Sequence, residues 1–197
     1  MTDFKEQEWL ASHFRQRLSD LGNHMVRVKR IISDTLLIFR EDDLSAEFIE
    51  PLELIVDELG RIQREVSTAA VREDLDEAIY TTVFRQQHAA WSDEFQEALL
   101  VIKTATEQES LMHRDKVGKG IEQLEHLWTA KQTLIKSYTV QQLLASRFGV
   151  PLNYRVWINS GLEEETLDQL EQAAHQATSL ADFETLVEEI EIKRRKK

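Results

Sequence analysis

Glu47, Glu50, Glu73 and Asp76 are the residues in this chain whose types and spacing best match a known chemistry. They form two close acidic pairs, with 22 residues between Glu50 and Glu73. Carboxylates are hard oxygen ligands, and two such pairs on facing helices suit Mg²⁺ and, through it, a triphosphate whose hydrolysis the ion assists. Acids make up 36 of the 197 residues, however, so solvated helix faces produce the same spacing without any site. The four carboxylates therefore define the runner-up reading, a Mg²⁺-dependent hydrolase. No catalytic residue is assigned in the leading one.

The other constellations carry less. A di-iron helical bundle places Glu three residues before each ligand His. Here those positions hold Leu10, Leu21, Arg85, Ser110, Gln123 and Gln172, so that site is absent. Asp20/His24, Glu109/His113, Glu122/His126 and Glu171/His175 lie four apart, the spacing of surface ion pairs on a helix. With no cysteine there is no disulfide, thiolate site or thiol nucleophile. Gly118-Lys119-Gly120 lacks the spacing of a phosphate-binding loop, and no nucleophile elbow occurs. No cofactor is implied.

The net charge of −12 argues against direct binding of nucleic acid, which is driven by cationic surface and counterion release. It suits a basic protein partner, or an acidic mimic of nucleic acid. No apolar run approaches the roughly 18 residues of a membrane span, and no signal-peptide core is visible, so the expectation is a soluble cytoplasmic protein.

Charge is unevenly distributed. Arg15, Arg17, Arg27, Lys29, Arg30 and Arg40 outnumber Asp20 and Asp34 near the start of the chain. Between Val156 and Ile192 there are ten acidic residues and no Lys or Arg, and then Lys193-Arg194-Arg195-Lys196-Lys197 follows. Opposite charge at the two ends predicts docking within one chain or head to tail between copies. The partner-binding candidates are accordingly Arg27, Arg30, Glu163, Glu164, Asp168, Lys193, Arg194 and Arg195. Trp9 and Trp157 join them, because tryptophans off the apolar stripes are frequent interface anchors.

Two prolines and six glycines leave little to interrupt helices, and the apolar positions recur at helical spacing. The fold class expected is all-α: a multi-helix bundle over residues 1–138 and a small helical C-terminal module over 139–197. Within the bundle, Gly22-Asn23 predicts a stop between helices near 3–21 and 24–39. Ser45 is the N-cap of a third helix whose seam is Phe48, Leu52, Ile55, Leu59, Ile62 and Val66. A fourth begins near Val71, a fifth after a cap at Ser92 or Asp93, and a sixth runs from about Glu109 to Tyr138.

The last part of the chain contains Leu143-Leu144-Ala145-Ser146-Arg147-Phe148-Gly149, a spacer, then Leu167-Asp168-Gln169-Leu170 and Ser179-Leu180-Ala181-Asp182-Phe183. Over roughly the last 55 residues this resembles the small helical C-terminal extension of bacterial transposases and recombination-promoting nucleases. The preceding residues lack the strand-rich core and the acidic-plus-lysine motif of those nucleases, so the resemblance implies an accessory interaction module and not the nuclease activity. The four carboxylates resemble the magnesium pattern of all-helical nucleoside triphosphate pyrophosphatases of the MazG kind, which is what the runner-up reading implies. The leading expectation is a non-enzymatic helical interaction protein of a bacterial multi-protein system, binding through helix faces and its acidic C-terminal module.

Overall fold

The computed structural model describes residues 2–150 and 164–195, of which 2–7, 9, 164 and 193–195 are described by backbone alone. Among these residues six helices follow one another: α1 (Thr2–Glu41), α2 (Ala46–Ala70), α3 (Glu77–Gln108), α4 (Arg114–Phe148), α5 (Glu164–Gln176) and α6 (Leu180–Arg195). No strand occurs among the described residues, so the chain is all-α. No helix among them is long and apolar enough to cross a membrane. The chain divides into two compact units, residues 1–127 and 128–197, and the division falls within α4, as does residue 138.

In the first unit α1, α2 and α3 pack pairwise on one another. Their seams are apolar residues three and four apart, the spacing that keeps one face of a helix toward its neighbours. On α1 the seam is Phe14, Leu18, Leu21, Met25, Val28, Ile32, Leu36 and Phe39, all buried. It stays in phase across Gly22-Asn23, and α1 therefore runs unbroken where a stop was expected. A glycine inside a helix costs about 1 kcal/mol relative to alanine, which burial of the flanking seam offsets. A Cβ on Gly22 would stand 3.4 Å from Ser67 Oγ and 3.8 Å from Val66 Cγ1, ordinary van der Waals contact with α2.

The same rule corrects two further expected breaks. Trp91, Phe95, Ala98, Ile102 and Ala105 form one buried seam on α3, and the Ser92 hydroxyl donates back to His88 O (2.7 Å) instead of capping a new helix. Thr139 likewise donates to Ile135 O within α4 (3.1 Å). Conversely, Val71 is 78% exposed in a turn, and α3 starts later, at an N-cap formed by Asp76, whose carboxylate accepts from Ile79 N (2.8 Å). Glu109 closes α3 and does not open α4. On α2 the seam is buried as its spacing predicts, with Ser45 at the N-cap.

The end of α1 is tied to the start of α4. Asp42 accepts from both the backbone N (3.1 Å) and ring Nδ1 (2.6 Å) of His113, just ahead of Arg114. Burial alone raises the Asp42 carboxyl, but these bonds outweigh it and hold the group below the usual range. His113 thus pairs with Asp42 and not with Glu109.

The second unit has its own core of Val140, Leu144, Leu167, Leu170, Ala173, Ala174, Ala177, Phe183 and Val187. The Arg147-Phe148-Gly149 run acquires a physical meaning here. Gly149 adopts φ +64°, the left-handed conformation that ends a helix, and its N–H donates to Ala145 O (3.0 Å). The Arg147 guanidinium donates to Ala174 O (2.6 Å), His175 O (2.7 Å) and Ala177 O (3.2 Å), the open carbonyls at the end of α5. Phe148 stacks on Phe183 at 5.9 Å. Ser179 and Asp182 start α6 as a capping box, Asp182 N donating to Ser179 Oγ (3.2 Å).

Candidate functional site

The geometry first separates the carboxylates that sequence spacing had joined. Glu47 and Glu50 stand in the first turns of α2, Glu73 in the turn beyond its last residue, and Asp76 at the N-cap of α3. At about 1.5 Å per residue, the helix puts roughly 30 Å between Glu50 and Ala70. One Mg²⁺ cannot span that distance, so the four do not assemble the pyrophosphatase template. Among the described residues no three His, Asp or Glu side chains gather as a metal-ligand set.

Glu73 and Asp76 instead belong to the wall of a groove of about 620 Å³ in the first unit. One side is the early part of α1, contributing Glu8, Leu10, Ala11, Phe14 and Arg15. The other is the run from Glu73 to Glu77, between α2 and α3. The floor is apolar because Phe14 and Leu75 belong to the core, at 2% and 4% exposure. The rim is acidic: Glu8, Glu73, Asp74, Asp76 and Glu77.

Those acids are not equivalent. Asp74 is held in a bidentate pair by Arg72 (2.8 and 2.7 Å), whose bonds keep its carboxyl below the usual range. Asp76 is committed to the start of α3. Arg15, the one rim cation among the described residues, donates to Arg72 O (3.1 Å) and so braces the turn. Glu8, Glu73 and Glu77 are exposed around the floor. Such a surface accepts a segment carrying cations beside an aliphatic side chain, with the alkyl parts on the floor and the charged heads among the carboxylates.

The basic patch expected near the start of the chain does not form as one surface. Arg17 is buried, 2% exposed, with its guanidinium 3.4 Å from the Tyr80 hydroxyl. Arg40 pairs with Glu53 on α2 (2.5 Å), and Lys29 lies against Gly60. Arg27 and Arg30 do face solvent, and Arg27 borders a hollow of about 400 Å³ with Ile31, Glu122, Gln123, His126 and Leu127. In the second unit Asp168 forms an ion pair with Lys136. Trp157 and Glu163 lie outside the described residues. Trp9, Glu164, Lys193, Arg194 and Arg195 are placed on α1, α5 and α6 by their backbone alone.

His13 lies beside this corner, on α1 one turn before Arg17. Burial, and then the Arg17 charge, hold its imidazole below the ordinary value of 6.5. The unfolded chain therefore binds this proton more readily than the folded one, and stability rises with pH as 6.5 is approached from below. His13→Gln is expected to flatten that part of the stability–pH profile, read as the midpoint of urea unfolding from pH 5 to 7. An unchanged profile would sink the assignment. His24, expected in a surface pair with Asp20, packs edge-on against Trp91 (5.1 Å, 90°), while Asp20 accepts from Gln16 (2.9 Å).

Comparison with protein-family models, with curated proteins and with solved structures returns no match to this chain.

Proposed function

We propose that this is a non-enzymatic helical interaction protein, a structural subunit or adaptor whose acidic surfaces take a basic protein segment. The observation that carries the reading is the groove between α1 and the 73–77 turn, with exposed carboxylates set around an apolar floor. A site for small-molecule chemistry needs converging groups of different character. This one offers repeated negative charge on a surface that Arg15, Arg72 and the Asp76 cap hold in shape. The acidic residues of α5 and α6 extend the same chemistry to the second unit, where Glu165, Glu188 and Glu189 are exposed.

Calorimetric titration of the full chain with a synthetic peptide of alternating arginine and leucine tests this. Binding is expected at low salt, falling as ionic strength rises, because exposed charge pairs are screened. Glu73→Lys combined with Glu77→Lys is expected to weaken it roughly tenfold or more. No binding, or binding indifferent to both reversals, would overturn the reading.

A further inference from the structure

We infer that the groove receives the Ile192–Lys197 segment of a second copy of this chain, in a head-to-tail contact. The inference rests on the reading of the groove as an acceptor of basic segments, and it names the segment.

The two surfaces match in kind and in order. The groove places an apolar floor beside Glu8, Glu73 and Glu77. The segment places Ile192, 52% exposed on α6, directly before five consecutive cations, Lys193 to Lys197. An exposed isoleucine next to a dense positive run is what a floor of Leu10, Ala11, Phe14 and Leu75 under an acidic rim accommodates. The α6 backbone is helical through Arg195, so the helix carries the start of the run onward along its axis instead of folding it back over α5 and α6.

The polarity is the reverse of the one suggested by the charge layout alone. Of the N-terminal arginines, Arg17 is buried, Arg15 is spent on the Arg72 carbonyl and the exposed Arg40 is paired with Glu53, and what the first unit presents at the groove is acid. The cationic partner surface then lies at the other end of the chain. Groove and run are different patches, so each contact leaves one of each free. Such heterologous association continues from copy to copy or closes into a ring.

Sedimentation velocity of the full chain at rising concentration, in about 50 mM and about 500 mM salt, gives the first readout. Concentration-dependent species larger than a dimer are expected at low salt and a monomer at high salt. The groove variant Glu73→Lys/Glu77→Lys and the run variant Lys193→Glu/Arg194→Glu/Arg195→Glu should each lose self-association roughly tenfold or more. Mixed together, they should form a dimer and stop there, because the first keeps an intact run and the second an intact groove. A monomer at every concentration, self-association indifferent to either variant, or no dimer in the mixture would overturn the inference. If the arginine–leucine peptide still binds the groove in that event, the functional reading stands and only the occupant is wrong. If that peptide also fails, both fall.

Discussion

Replacing Trp91 with alanine is expected to lower the unfolding free energy of the 1–127 unit by about 3–5 kcal/mol, the cost of emptying a large buried aromatic site. Trp91 is fully buried, packs on Phe95 at 5.8 Å and receives the edge of His24 at 5.1 Å. Its neighbours belong to two helices held together by their seams, so the void cannot close by moving one side chain. Trp91→Phe keeps a ring there and is expected to cost appreciably less. Urea unfolding checks both: the midpoint should fall while the slope stays constant, as it does when stability alone changes. A loss under about 1 kcal/mol for the alanine variant would mean the indole is not enclosed as described.

Arg147→Met is the second large effect, and it should be local. The substitution keeps an unbranched apolar stem but removes the guanidinium that bonds the carbonyls of Ala174, His175 and Ala177. Hydrogen bonds to a charged group contribute about 1.5–3 kcal/mol, and a cation at a helix C-terminus adds a favourable term with the helix dipole. A loss of about 2–3 kcal/mol is expected in the 128–197 unit. Arg147→Lys should recover only part of it, since one ammonium cannot reproduce the planar fork. Amide hydrogen exchange separates local from general effects: α5 and α6 should exchange faster while the seams of α1 to α3 keep their protection. Equal acceleration in both units would refute the assignment.

The sequence made the seams legible wherever their phase was followed. Phe48 to Val66 reads directly as the buried face of α2, because every third or fourth residue is apolar and nothing interrupts it. The breaks expected at Gly22-Asn23 and Ser92 are absent for a common reason. Each is a residue type that favours helix ends, yet the apolar phase passes through it unchanged, and packing of a whole seam outweighs about 1 kcal/mol of local preference. The hydroxyl of Ser92 is satisfied inside the helix. At Val71 the difference runs the other way, since an apolar residue is read as opening a stripe whose helix begins only at Glu77.

The groove was not legible at all. Its two walls are some sixty positions apart in the chain, and its floor is made of Phe14 and Leu75, which read as ordinary core. Glu73 and Asp76 did attract attention, but as ligands paired with Glu47 and Glu50. Only the length of α2 shows that pairing to be impossible. The burial of Arg17 was equally hidden, because nothing in the order of residues announces that Tyr80 lies beside it.

The three acceptors of Arg147 are all main-chain oxygens. Every residue type supplies that oxygen, so this bracing is blind to which side chain stands at the exposed position 175. Drift there leaves the brace intact, whereas position 147 itself admits no other side chain with the same fork. Tolerance and intolerance to substitution thus sit on opposite partners of one contact.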